Sequence, residues 1–207
     1  MLKLYGRASS SNVRKVLWVA GEIGVDYTRE DWGRGYRSTD EAEFKRVSNF
    51  GVVPVIDDDG FILRESNTIV RYLCTKHGRA DLYPTDLKAR ATVEAWMDWG
   101  AQDLYAGARI VFLGLSAKIA TFQDAKMIET AIGDWTRQMQ RLDSELATRG
   151  PYLAGVNFTI ADIPAGIVVN RWYGIDFPKP ALPAVQAYYD RLAERPAYRS
   201  FVRNGMA

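Results

Sequence analysis

The first eighty residues combine short apolar runs with two helical stripes. Leu2–Tyr5 is a short apolar run ended by Gly6, which predicts a strand and a turn. Apolar residues at helical spacing from Val13 onward predict a helix that stops near Gly21 or Gly24. Further patterns predict strands at 27–31, 52–56 and 61–63, a hairpin turn at 57–60 and a helix at 66–75. The predicted order is β-α-β-β-β-α, which indicates an α/β domain.

The regular spacing of apolar residues ends after residue 78. Residues 79–86 include Pro84, and we interpret them as a linker between a domain at 1–78 and a second domain at 87–207. Beyond the linker the apolar spacing is helical throughout, and no strand pattern is evident.

The second domain is therefore predicted to be all-helical. Apolar stripes predict helices at 89–107 and 125–147. Thr159 is expected to start another helix, and Leu182-Pro183 the last long one, which Pro196 breaks.

The amino-acid composition argues against several classes of function. The 207 residues are 47% hydrophobic with a formal net charge of +2 and no basic stripe, so nucleic acid is not an expected partner. No apolar run predicts a signal peptide or a membrane span, and we expect a cytoplasmic protein that binds no membrane. A single cysteine, Cys74, and a single histidine, His77, argue against a disulfide, a metal site or a histidine-dependent triad. Cys74 is interpreted as structural.

A polar cluster lies between the first predicted strand and the first predicted helix. Ser10, Ser11 and Asn12 follow Ser9 there. Unpaired backbone N–H groups and the positive end of the helix dipole favour an anion, including a thiolate, at such a position. Ordinary helix capping is the alternative interpretation.

Val53-Pro54 stands at the start of a predicted buried strand. Proline cannot donate to a sheet ladder, so it belongs at a strand's first position or at an edge. A cis bond would turn the chain and leave the amide and carbonyl of Val53 free to pair with a peptide-like ligand. The sequence does not decide the isomer; we predict cis, with an ordinary trans proline as the alternative.

Glu65-Ser66 precedes the next predicted helix. The Ser66 hydroxyl and the first amides of that helix would suit a carboxylate, and Glu65 would suit an ammonium group. A capping serine beside a solvated glutamate is the alternative.

In this order and spacing, the motifs resemble the signature of cytosolic glutathione S-transferases of the bacterial, theta-, phi- and zeta-like serine type. Val53-Pro54, a strand–turn–strand, Glu65-Ser66 and Tyr72-Leu73 carry the resemblance in the first domain. Residues 82–84, 96–99 and 158–162 resemble the linker, the first helix and the capping motif of the second domain. The resemblance implies a thioredoxin-like N-terminal domain, an all-α C-terminal bundle, and an enzyme that uses glutathione as co-substrate without a metal.

The resemblance also implies residue roles. Ser10 would donate a hydrogen bond to the glutathione thiolate, with Ser11 and Asn12 as close neighbours. Val53, with Pro54, would pair with the cysteinyl unit, and Glu65 with Ser66 would hold the γ-glutamyl end. Glu94 matches a carboxylate that reaches the partner subunit's site, which implies a homodimer.

One position departs from the family pattern. Members often carry a basic or amide residue before the valine, where it contacts the glycyl carboxylate, and this chain has Val52. Arg34 and Arg37 in the preceding loop are candidate replacements. Their alternative is solvated loop arginines.

The second-substrate site is expected in the helical domain. The resemblance implies candidate walls at the end of its first long helix and after its capped helix: Tyr105, Arg109, Phe112, Leu113, Trp172 and Tyr173. Core packing is an equal alternative for Phe112 and Trp172.

The resulting hypothesis is a transferase that adds the glutathione thiolate to a small hydrophobic electrophile. Isomerisation, reductive dehalogenation, peroxide reduction or mixed-disulfide reduction would use the same thiolate. Ser10 argues against disulfide reduction, which usually requires a cysteine there. A non-catalytic glutathione-binding protein is the third possibility.

Overall fold

In the computed structural model, which describes residues 1–205, the chain divides into two units, Met1–Tyr83 and Pro84–Ala207. The first is called the N-terminal unit and the second the helical unit.

A four-stranded mixed sheet organises the N-terminal unit. Its strands are β1 (Leu2–Tyr5), β2 (Tyr27–Glu30), β3 (Val55–Asp58) and β4 (Phe61–Arg64), in the order β2-β1-β3-β4. β1 runs parallel to β2 and antiparallel to β3, and β3 and β4 form a hairpin. The hairpin turns at Asp59 and Gly60, whose φ angles are 51° and 93°, a conformation that aspartate and glycine tolerate.

Three helices complete this unit: α1 (Ser11–Ile23), α2 (Ala42–Lys45) and α3 (Ser66–Lys76). α1 and α3 pack against each other, and α1 ends at Gly24 in a left-handed conformation, as predicted. The short α2 was not predicted. Its one buried residue, Phe44, packs 5.3 Å from the ring of Trp32.

The third strand begins three residues later than predicted. Val52 is exposed and Pro54 has no N–H to donate, so the ladder starts at Val55. The sequence pattern therefore located this strand correctly but misplaced its start.

The helical unit consists of a bundle with one largely buried helix. Its helices are α4 (Leu87–Ala101), α5 (Asp103–Val111), α6 (Ala125–Arg149), α7 (Asp162–Gly174), α8 (Pro183–Leu192) and α9 (Pro196–Phe201). α5 continues into a π-helical turn, Phe112–Ser116. The expected α/β plus all-α architecture is confirmed.

The predicted continuous helix at 89–107 is wrong. Gln102, with φ −106° and ψ −81°, leaves the helical region and separates α4 from α5. Neither glycine nor proline occupies position 102, so the sequence carried no sign of this break.

α7 begins at Asp162 rather than at Thr159. Asp162 is fully buried, and its carboxylate accepts hydrogen bonds from the amides of Leu153 and Thr159 and from the Tyr188 hydroxyl. Burial raises the pKa of this carboxyl to about 6, against the effect of those hydrogen bonds. Within residues 1–205, no helix is long and apolar enough to cross a membrane.

Candidate functional site

Three loops leave the N-terminal sheet at the same edge. The strand register pairs Tyr5 with Val55 and Val55 with Arg64. The chain leaving β1, the chain entering β3 and the chain leaving β4 are therefore neighbours. The polar cluster at 9–12, Val53-Pro54 and Glu65-Ser66 are thus brought to one edge of the sheet.

Ser10 lies at the start of α1 with an extended backbone, φ −80° and ψ 124°. Its hydroxyl makes no capping hydrogen bond, although Ser10 occupies the capping position. The side chain is half-buried, whereas Ser9 is exposed and Ser11 is buried. No acidic residue lies in the first turn of α1 to compete for the helix start. Ser10 is therefore the serine of this cluster that combines partial burial with a hydroxyl not used in capping.

Asn12 connects the starts of two helices. The Ser66 hydroxyl donates to the Asn12 side-chain oxygen over 3.3 Å. Ser66 is buried and is the first residue of α3. This hydrogen bond fixes the two predicted glutathione-binding loops to each other.

Glu65 has an unusual backbone. Its φ of 71° and ψ of 110° lie in a region that residues other than glycine rarely adopt and that costs about 1–3 kcal/mol. The exposed carboxylate pairs with Arg64 at 3.0 Å, a contact that contributes little in water. Such strain is commonly found at binding sites, where it directs a side chain or its amide toward a ligand.

The Val53-Pro54 peptide bond is cis, as predicted. Pro54 is buried, and Val53 is half-buried beside the β1–α1 turn. A Cβ on Gly6 would lie 3.0 Å from the Val53 Cβ and 2.6 Å from a Val13 methyl group, so the turn approaches Val53 closely.

Arg37 is already paired with acidic residues. It forms ion pairs with Glu41, at 2.9 Å, and with Glu43, and its guanidinium lies 3.9 Å from the Trp32 ring centroid. The hydrogen bonds to Glu43 and Glu41 raise the pKa of Arg37. Because its charge is matched by two carboxylates, we leave Arg37 out of the proposed ligand site.

Arg7 was not identified from the sequence. Its half-buried side chain lies beside Gly33, and burial together with the charge of Arg34 lowers its pKa. Its place directly after the strand–turn Tyr5-Gly6 was the available signal. Arg34 itself is exposed in the loop after β2.

In the helical unit, four of the candidate wall residues are grouped on α5 and its π-helical turn. Tyr105, Phe112 and Leu113 are half-buried and Arg109 is exposed. The buried Arg171 of α7, missed at the sequence level, places its guanidinium 3.9 Å from the Phe112 ring centroid and 5.7 Å from that of Tyr105.

The other two candidate wall residues lie near the end of α7 and pack against aromatic side chains. Trp172 is 1% exposed and meets Trp135 edge-on, with 5.1 Å between ring centroids. Tyr173 stacks on Tyr189 at 4.6 Å, and burial raises its pKa to about 12. Core packing accounts for the Trp172 side chain, whereas Tyr173 is half-buried and stays a candidate wall residue.

Glu94 lies in α4 and is half-buried. Cys74 is buried in α3, and burial raises the pKa of its thiol to about 12, which makes it a poor nucleophile. Within residues 1–205, no group of histidine, cysteine and carboxylate side chains is arranged to hold a metal ion.

Family models match both units. Residues 4–81 match the glutathione S-transferase N-terminal domain, and residues 102–196 match the C-terminal domain.

Individual relatives extend the match along the chain. Glutathione S-transferase GstB of Escherichia coli strain K12 is 32% identical over 204 residues, covering 98% of each chain. Glutathione S-transferase 3 of Zea mays is 28% identical over 97% of this chain and 93% of its own length. Among solved structures, the theta class glutathione S-transferase of Xanthomonas axonopodis pv. citri with glutathione bound has a TM-score of 0.93 and 36% identity, covering 100% of this chain and 99% of that one.

The thioredoxin-like sheet with its cis proline, followed by an all-helical unit, defines the class of transferases that use glutathione as co-substrate. Together with these matches, it shows that the chain belongs to the glutathione S-transferase family.

Proposed function

We propose that this protein binds glutathione at the sheet edge formed by residues 6–12, 53–54 and 65–66 and activates its thiol with Ser10. The observation that carries the proposal is the Ser10 hydroxyl, half-buried at the start of α1 and not used in capping. Val53 pairs its backbone with the cysteinyl unit, while Glu65 and Ser66 hold the γ-glutamyl end. The relative from Xanthomonas, solved with glutathione bound, supports this ligand.

The chemistry requires stabilisation of a thiolate. A cysteinyl thiol has a pKa near 8.5, and lowering it by about two units corresponds to about 2.7 kcal/mol. The Ser10 hydroxyl, the amides at the start of α1 and its dipole together supply an effect of this size. Ser10 acts as a hydrogen-bond donor, since the chain's single histidine, His77, lies at the far end of α3 and leaves no evident general base.

The second substrate is proposed to be a small hydrophobic electrophile that receives the thiolate. Tyr105, Phe112 and Leu113 provide the apolar surface, and Arg109 adds a charge. Tyr173, half-buried near the end of α7, is proposed as a further wall residue, whereas Trp172 belongs to the core.

A homodimer in the cytoplasm completes the proposal. Glu94 would reach the γ-glutamyl ammonium of the glutathione molecule that is bound in the partner subunit. A reduced thiol co-substrate requires a reducing compartment, which the free Cys74 also fits.

The test is a panel of electrophiles with glutathione: halogenated aromatics, epoxides, peroxides and mixed disulfides. Conjugation of the first two classes with little mixed-disulfide reduction is expected from a serine at position 10. Glutathione binding without turnover of any class would favour a non-catalytic binding protein. Turnover of peroxides or disulfides alone would show that the activity is reduction and that the proposed conjugation is wrong.

A further inference from the structure

The helix that carries the proposed wall of the second-substrate site does not end as a regular α-helix. α5 continues into the π-helical turn Phe112–Ser116, where the amide of Ala117 donates to the Phe112 carbonyl over 2.9 Å. Such a turn spans one residue more than an α-helical turn, so its side chains point in directions that an α-helix would not give them. Turns of this kind are rare and occur frequently at functional sites. The directions of Phe112 and Leu113, two proposed wall residues, therefore depend on this turn.

The chain that follows the π-helical turn folds back onto it. Lys118, with a φ of 49°, leaves the helical path, and residues 117–123 return toward the turn; we call them the return segment. A Cβ on Gly114 would lie 2.6 Å from the carbonyl oxygen of Phe122. Only glycine at position 114 therefore allows the return segment to approach the turn this closely.

A side chain joins the return segment to the turn. The Gln123 side-chain amide donates to the Gly114 carbonyl over 2.6 Å, and Gly114 is the buried residue of the turn. The next residue, Asp124, caps α6 by accepting a hydrogen bond from the Met127 amide over 2.7 Å. The backbone beside Gln123 is therefore fixed, and Gln123 ties the π-helical turn to the start of α6.

We propose that Gln123 is a positioning residue for the second-substrate site. By holding the π-helical turn, it keeps Phe112 and Leu113 in place as an apolar wall and so favours electrophiles with a bulky apolar group over small ones. The inference rests on the proposed function above, in which these two side chains contact the electrophile. Arg171 of α7 holds the Phe112 ring itself, with its guanidinium 3.9 Å from the ring centroid. Gln123 acts through the backbone of the turn, so glutathione binding does not depend on it.

The experiment measures the binding of three ligands by calorimetry: glutathione, S-methylglutathione and S-benzylglutathione, whose sulfur substituents stand in for the electrophile. The unmodified protein should bind the benzyl derivative more tightly than the methyl derivative, because the benzyl group buries apolar surface on the wall. Gln123→Met keeps a side chain of similar length and removes the hydrogen-bond donor. It should reduce the benzyl-over-methyl preference about 3- to 10-fold, as expected for the loss of one hydrogen bond, and leave glutathione affinity unchanged.

Gly114→Ala tests the same turn without changing Gln123. The added Cβ would meet the Phe122 carbonyl oxygen and push the return segment away from the turn, so the benzyl-over-methyl preference should fall again. Two matched controls make the same chemical changes elsewhere. Gln140→Met, at an exposed position of α6, and Gly133→Ala, where an added Cβ has nothing within 4 Å, should both leave the preference unchanged.

The outcomes separate this inference from the proposed function. An equal loss of affinity for all three ligands in Gln123→Met would make the role of Gln123 purely structural and overturn the inference. An unchanged preference in that variant would also overturn it, while the proposed function would stand. Should Gln123→Met not fold, Gln123→Asn, whose shorter side chain does not reach the Gly114 carbonyl, decides by the same criterion.

The unmodified protein tests the proposed sites themselves. If it binds the benzyl and methyl derivatives equally, the proposed wall at Phe112 and Leu113 is wrong, and the inference about Gln123 fails with it. If it binds none of the three ligands, the proposed glutathione site fails, and so does everything inferred from it.

Discussion

At the scale of single residues, Ser10 is distinguished from its neighbours by its surroundings. Three serines occur in succession, yet Ser9 is exposed, Ser11 is buried at the first helical position, and Ser10 is intermediate. The hydroxyl of Ser10 makes no capping bond, so it remains available as a donor to a ligand anion.

Ser10→Ala should raise the pKa of the bound glutathione thiol by about one to two units, from the loss of a hydrogen bond to a charged group worth about 1.5–3 kcal/mol. The thiolate fraction near neutral pH falls, so conjugation slows and partly recovers at higher pH. Glutathione affinity changes little because Val53, Glu65 and Ser66 hold the rest of the tripeptide. The measurement is thiolate absorbance against pH.

Ser9→Ala and Ser11→Ala are the matched controls and should shift the titration less. A shift with Ser11→Ala alone would move the donor role one residue along the chain. No shift with any of the three would assign activation to the helix start or to Asn12.

Local signals in the sequence were sufficient to propose Ser10, Val53 and Ser66 as site residues, because each belongs to a cap or a strand start that adjacent residues reveal. The two arginines were not located in this way. Arg7 gains its significance from Gly33, and Arg171 from Phe112, contacts between residues distant in sequence. Contacts between side chains of different loops produce no periodic pattern in the sequence, so pattern analysis does not detect them.

At the scale of elements, close packing of α5 on α6 depends on Gly107. A Cβ there would lie 2.7 Å from the Ala131 carbonyl oxygen and 3.0 Å from Trp135. Gly133, in α6, has nothing within 4 Å of the same added atom. Gly133 is exposed and lies outside the contact, so it is a matched control for Gly107 on the same pair of helices.

Gly107→Ala should destabilise the protein by about 1–3 kcal/mol, because backbone on α6 cannot move aside as a flexible side chain would. Gly133→Ala should stabilise it by up to about 1 kcal/mol through helix propensity. Urea unfolding midpoints at unchanged slope report both effects. Equal effects of the two substitutions would contradict the close approach at Gly107.

Prediction was less successful for elements that depend on tertiary packing. The stripe at 89–107 is helical on both sides of Gln102, so the break between α4 and α5 had no local marker. α2 consists of four residues with Phe44 as its single buried side chain. A helix this short shows no helical periodicity of apolar residues.

At the scale of the whole molecule, the proposed dimer predicts both a mass and a contact between subunits. Sedimentation should give twice the 23.3 kDa chain mass at micromolar concentration. Glu94→Ala should leave the dimer intact and weaken glutathione several-fold, since it removes one carboxylate proposed to contact an ammonium in the partner's site. Glu129→Ala, in α6, controls for the loss of one carboxylate.

A monomer at micromolar concentration would refute the proposed assembly. A dimer in which Glu94→Ala binds glutathione normally would retain the assembly and remove only the contact across it.

The fixed register of β1, β3 and β4 also determines which changes in chain length the N-terminal unit tolerates. Substitutions on exposed strand positions leave the pairing of Tyr5, Val55 and Arg64 unchanged. Deleting one residue within β3 or β4 would displace Glu65 relative to Val53 by about 3.3 Å and turn the following side chains to the opposite face. Insertions and deletions within the sheet would therefore separate the loops that meet at its edge.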